Sequence, residues 1–157
     1  MKVAAHFKKD MANNGTERTR KNTSPILNQK IDQEIRENLE LYSDAEQQEG
    51  IAERIEELNK EWDIDRSLQL NSALTAITGL CLGLLVNKKW FALSFITSAF
   101  LAQHSIQGWC PPLPLFRKLG FRTRKEIDKE KYALKALRGD FKRIGLNPGK
   151  AYLAANE

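Results

Sequence analysis

The residues best suited to chemistry in this chain are Cys110 and His104, separated by six positions. A thiol reacts or binds metal as the thiolate, which needs a positive or basic neighbour. Arg117 and Lys118 follow closely enough to supply charge. One His and one Cys per chain make only half of a zinc site, so no metal centre is expected unless two copies share one. The other thiol, Cys81, forms no CxxC or zinc-ligand spacing with Cys110. Besides a thiol role in sulfur relay or redox sensing, Cys110 has a plainer reading as a small apolar residue that ends a helix. No Ser/His/Asp set, phosphate loop or pair of catalytic carboxylates is recognisable, so the chain is not expected to be an enzyme or to need a cofactor.

The elements that position these residues emerge from charge. The 157 residues are 41% hydrophobic and 29% charged, with a net charge of +5. That sum hides four blocks: residues 1–21 carry +4, 22–67 carry −8, 68–110 carry +2, and 111–157 carry +7. Between Asp65 and Glu126 there is no acidic residue, and between Arg66 and Arg117 the only charges are Lys88 and Lys89. Removing charge over some forty residues suits a lipid solvent, where an ionised group costs several kcal/mol.

Leu68 to Val86 and Trp90 to Gln107 are uncharged runs of nineteen and eighteen residues. At 1.5 Å per residue each matches a hydrocarbon core of roughly 30 Å. Asn87-Lys88-Lys89 is the turn between them, and Trp62, Trp90 and Trp109 fall where interface anchors belong. Small residues recur at Ser72, Ala76, Gly79 and Gly83 on the first span and at Ser94, Ser98 and Ala102 on the second, a seam for packing within the hairpin or in a homodimer. His104, with no acid in either span, is expected to hydrogen bond to Asn71 or Ser72 across the hairpin. The basic residues Arg117, Lys118, Arg122, Arg124 and Lys125 are candidate contacts for anionic lipid and predict both termini on the cytoplasmic side.

Residues 1–23 show no apolar period and read as a disordered basic tail. Ser24-Pro25 then opens a helix whose stripe is Ile31, Ile35, Leu39 and Tyr42. The Ser43-to-Glu46 pattern is a capping box that restarts the helix, and Ile51, Ile55, Leu58 and Trp62 form a second stripe out of phase with the first. Beyond Cys110-Pro-Pro112, a capping box at Thr123-Arg-Lys-Glu126 opens a last helix that ends near Gly139. Its apolar residues Ile127, Ala133, Leu134 and Leu137 leave a basic opposite face, suited to headgroups or to the acidic helices of 25–62. The Arg138-Gly-Asp140 tripeptide sits at the helix end and is expected to cap it. Nucleic acid is not expected as a partner, because no fold for base readout accompanies the basic charge.

The run Gln107-Gly-Trp-Cys-Pro-Pro112 after a helical hairpin resembles a bacterial inner-membrane family of unknown function, whose transmembrane domain also anchors an inner-membrane rhodanese. Gly120 to Ile127 and Leu137 to Phe141 are similar to the tail of its stand-alone members. The likeness covers roughly residues 62–141 and implies an inner-membrane hairpin able to form a dimer, with no assigned chemistry. The chain lacks the sulfurtransferase domain, so sulfur transfer does not carry over.

The sequence therefore predicts an all-α integral-membrane two-helix hairpin with amphipathic cytoplasmic helices on both sides. Its parts are a basic tail (1–23), acidic helices (24–65), the hairpin (66–110) and a basic tail with one helix (111–157). The expected role is a non-enzymatic anchor, scaffold or oligomerising subunit in the bacterial inner membrane, with membrane lipids, a possible second copy and an unidentified protein as partners. A soluble helical regulator is the remaining alternative.

Overall fold

The computed structural model describes residues 18–43 and 49–142, with Gly149. Its described residues are helical and include no strand. The helices are α1 (Pro25–Leu41), α2 (Ile51–Lys60), α3 (Ile64–Leu85), α4 (Phe91–Gln107), α5 (Leu113–Lys118) and α6 (Arg124–Arg138), with a 3₁₀ turn at Lys88–Trp90. They divide into two compact units. Among the described residues the first holds 18–30 and 62–124, and the second holds 31–61 and 125 onward.

The first unit is built on a helical hairpin. Asp63 caps α3 by accepting from the Arg66 amide at 2.8 Å, and α3 begins at Ile64, so it takes Asp65 into its first turn. The carboxylate is favourable there because the helix N-terminus carries partial positive charge. The reversal lies where the sequence predicts it: Asn87 accepts from the Lys89 amide at 2.9 Å and the chain turns into α4. Gly108 closes α4 in the left-handed conformation, φ 71°, where a Cβ would be strained. The Ile51–Leu85 stretch, whose apolar part is α3, contains the one described helix long and apolar enough to cross a membrane, and only 17% of its most apolar window is buried. The partner helix α4 has 17 residues.

Past Gly108 the chain folds over the open end of the hairpin. Ile64, Leu68, Cys110 and Leu113 form a buried cluster against which Phe116 and Phe121 pack, ring centroids 5.2 Å apart. Burying four such side chains stabilises this end by about 1.5–3 kcal/mol for each large aliphatic one. Residues 18–23, assigned by sequence to the disordered tail, are instead part of this unit. Residues 18–21 are helical, the Arg18 guanidinium donates to the Ile106 carbonyl, and Asn22 donates to the Gln107 carbonyl at 3.0 Å. These carbonyls lie in the last turn of α4, where no intrahelical donor reaches them, and that need is invisible in the local sequence of 18–23.

The second unit has its own core of Ile51, Ile55, Leu58, Ile127 and Leu134, with Leu39 and Tyr42 packed against it. Both stripes read from the sequence contribute to this unit, since Ile31 and Ile35 are buried as well. Trp62 does not continue the second stripe: α2 ends at Lys60 and Glu61 is extended. The capping box at Ser43 acts in the opposite sense to the one expected. Its hydroxyl donates to the Glu40 carbonyl at 2.7 Å and so closes α1, while the rest of the box, 44–46, lies outside the described residues. Helix α6 packs on the acidic helices, and Lys129 pairs with Asp32 at 3.4 Å in the sense the block charges suggest. The buried pair has the reverse sense. Glu130, wholly buried on α6, accepts from Arg54 at 2.9 Å and from Asn38 at 3.1 Å.

That arrangement changes the reading of α6. Glu126, Glu130, Lys131 and Lys135 are buried with Ile127 and Leu134, whereas Leu137 is exposed. The helix therefore has no simple division into an apolar face and a basic one. The long stems of its lysines cover apolar surface.

Candidate functional site

The site is assembled where α3 begins and α4 ends. His104 on the last turn of α4 is 8% exposed, and its Nε2–H donates to Asp65 Oδ1 at 3.1 Å. Asp65 replaces the Asn71 or Ser72 partner expected from sequence. Depth on two uncharged runs suggests those residues, but the actual partner lies just outside the first run, because α3 starts four residues earlier than that run. With Nε2 committed to the carboxylate, Nδ1 is the ring nitrogen left for another partner. Nδ1 is buried with no hydrogen-bond partner.

Cys110 borders the same pocket as this imidazole. Cys110 is 4% exposed and is held by the cluster around Leu113. Asp65 is bonded to His104, and Cys110 shares the His104 pocket, so a carboxylate, an imidazole and a thiol are gathered at one end of the hairpin. Sequence alone names the last two but misses the acid, whose signal is only its place at the start of the first span. A pocket of about 130 Å³ borders both His104 and Cys110 and runs between α3 and α4. Among the described residues no group of His, Cys, Asp and Glu is placed to hold a metal ion.

The small-residue seam splits into two parts. A Cβ on Gly79 would stand 2.5 Å from Ser94 Oγ and 2.9 Å from the Ser94 amide nitrogen, and one on Gly83 would stand 2.6 Å from the Phe91 ring. Ser94 donates to the Ala76 carbonyl at 2.7 Å. Gly79, Gly83, Ala76 and Ser94 therefore pack inside the hairpin, and Ser72 lines the pocket. Ser98 and Ala102 do not join them and are exposed. A strict four-residue step drifts about 40° per step around a 3.6-residue helix, so the inner face of α4 passes instead through Thr97 and Leu101.

The three tryptophans are part-exposed, and the Arg66 guanidinium stacks on Trp62 with its carbon 4.1 Å from the ring centroid. Of the five basic residues assigned to lipid, Lys118, Arg124 and Lys125 are exposed. Arg117 and Arg122 are not, at 1% and 7% exposure, which corrects their assignment. Arg117 donates to Asn28 Oδ1 at 2.9 Å and to the Phe121 carbonyl at 3.1 Å, tying the start of α1 to α5. The backbone carbonyl of Arg122 accepts from Ile64 at 2.9 Å.

At the end of α6, Arg138 grips Asp140 at 2.8 and 2.6 Å, and this guanidinium holds the Asp140 carboxyl below its ordinary range. The tripeptide is thus closed on itself beside Gly139, φ 91°. Compared with known protein families, characterised proteins and solved structures, the chain matches none.

Proposed function

We propose that the chain is a small inner-membrane protein whose α3–α4 hairpin spans the bilayer with both termini cytoplasmic, and that it serves as a non-enzymatic anchor, scaffold or oligomerising subunit. The observation that carries the reading is the outer surface of the hairpin. Leu74, Ile77, Leu84, Leu85 and Phe95 are each more than half exposed, an apolar belt far beyond scattered surface residues. Lipid is the solvent that such a belt fits.

Polar groups on the two helices support the same reading. Thr75 and Thr78 donate to the carbonyls four residues back at 2.8 Å, and Ser105 does so at 3.0 Å, leaving few unsatisfied hydroxyls toward hydrocarbon. At 1.5 Å per residue α3 extends about 33 Å and α4 about 25 Å, the second at the short end of spanning length. The 3₁₀ turn and the Trp90 ring lengthen that side toward the interface. The resemblance around Gly108-Trp-Cys-Pro111 points to the same membrane. A homodimer remains compatible with the exposed Ser98 and Ala102, whereas the glycines are occupied within the chain.

The test is membrane fractionation with an alkaline carbonate wash, combined with amine labelling of Lys88 and Lys89 from outside intact spheroplasts. Retention in the pellet with labelling at the turn is the expected result. Release into the supernatant overturns the reading.

A further inference from the structure

We propose that Cys110 is an acyl acceptor: its thiol, with His104 as base, takes an acyl group from an acyl thioester, and the chain lies in the groove between α3 and α4. The inference goes beyond the anchoring role and does not depend on it, because every group involved belongs to the first unit.

Three observations meet at this place. His104 is more than nine-tenths buried, its Nε2 is committed to Asp65, and its Nδ1 has no partner. With Asp65 fixing the ring through Nε2, Nδ1 is the nitrogen left to hold the proton that Cys110 gives up. Cys110 and His104 line one pocket with Asp65 bonded to the ring from behind, which supplies the nucleophile, base and orienting acid that cysteine nucleophiles use. The pocket they share has no Asp, Glu, Lys or Arg in its lining: from Leu68 to Thr75 on α3 it follows about 10 Å of helix, with Phe100 and Leu101 contributed by α4.

The pocket selects the electrophile. A largely apolar groove without Asp, Glu, Lys or Arg fits a hydrocarbon chain and disfavours phosphorylated or ionic groups in its depth. Asn71 and Ser72 also line it, and their N–H and O–H groups are of the kind that polarises a carbonyl oxygen. Thioester exchange needs neither oxidant nor reductant. Nδ1 takes the thiol proton, and the sulfur forms a bond to the carbonyl carbon. The donor's carbon–sulfur bond breaks, and its thiol leaves with the proton from His104.

The experiment uses the purified full chain in detergent micelles with octanoyl-coenzyme A. One octanoyl group on Cys110, identified by intact mass and peptide mapping and released by neutral hydroxylamine, is the expected result. Cys110→Ser should abolish it, and Cys81→Ser should leave it unchanged. Loss of a positioned base lowers rates by 10² or more, so His104→Gln should slow transfer about a hundredfold. A variant that merely loosened the fold would expose Cys110 and speed its labelling, so the sign of the change separates the two effects. Thr75→Phe, which fills the groove, should block octanoyl transfer while acetyl transfer from acetyl-coenzyme A persists. The proposal is overturned by absence of transfer, by equal labelling of Cys81, or by an unchanged rate in His104→Gln. Transfer by a protein that the carbonate wash releases would uphold the acyl site and reject the membrane reading.

Discussion

Asp65 and His104 are 39 residues apart in sequence and 3.1 Å apart in space, and their bond joins the first turn of one hairpin helix to the last turn of the other. It is the polar clasp at the end opposite the Asn87 turn. Replacing Asp65 with Ala leaves a buried imidazole N–H without its acceptor, which costs about 1–3 kcal/mol. Thermal unfolding in detergent should show a lower midpoint for Asp65→Ala, with a smaller loss for Asp65→Asn, whose amide oxygen still accepts.

The two glycines facing α4 should respond differently to the same methyl group. At Gly79 the methyl meets the Ser94 backbone, which cannot yield without moving the helix, and overpacking of that kind costs about 1–3 kcal/mol. At Gly83 it meets the Phe91 ring, which is over a third exposed and can swing aside. Replacing an interior glycine by alanine also favours the helix by about 1 kcal/mol. Gly83→Ala is therefore expected near neutral and Gly79→Ala destabilising. Equal midpoints for the two would show that the helices are not packed through Gly79.

Gly108 combines a left-handed backbone with close approach: a Cβ there would lie 2.5 Å from the Arg18 Cβ. Gly108→Ala should cost about 1–2 kcal/mol for the backbone alone and should release residues 18–23 from α4. Limited proteolysis at Arg18, Arg20 and Lys21 reports this directly. Cleavage there should accelerate in the variant while sites in α6 stay protected.

In the second unit, Glu130 is the group with most at stake. Its carboxylate is fully buried, whereas Arg54 retains about a quarter of its side-chain exposure. Glu130→Ala removes the acceptor for Arg54 and Asn38 and should destabilise this unit by about 2–3 kcal/mol, as for charge-assisted hydrogen bonds. Far-ultraviolet circular dichroism with thermal melting measures the loss. Removing Glu57, an exposed partner of the same Arg54, should change the midpoint little, since exposed pairs contribute under about 1 kcal/mol.

Local signals were legible in the sequence where a local cause sets the structure. Pro25 opens α1, Asn87 makes the turn and Gly139 follows the end of α6, each through a neighbour within a few positions. The candidate site was half legible for the same reason. Cys110 and His104 stand out by type, but Asp65 acquires its role only from the fold that brings the hairpin ends together. Arg117 shows the converse failure: a basic residue after an apolar run suggests lipid contact, yet Asn28 Oδ1, 89 residues away, accepts from it in the interior. Spacing of small residues located Gly79 and Gly83, which face α4, whereas Ser98 and Ala102 are exposed, because helix crossing geometry and not residue size chooses the inner face of the hairpin.

The docking of 18–23 on the last turn of α4 has a consequence in time. Asn22 is synthesised 85 residues before the Gln107 carbonyl it binds. At roughly 5–20 residues per second the ribosome takes about 4–17 s to supply that partner. The first described segment of the chain is thus among the last to be fixed. During those seconds a basic segment, with Arg18, Arg20 and Lys21 uncommitted to α4, is open to whatever greets the nascent chain.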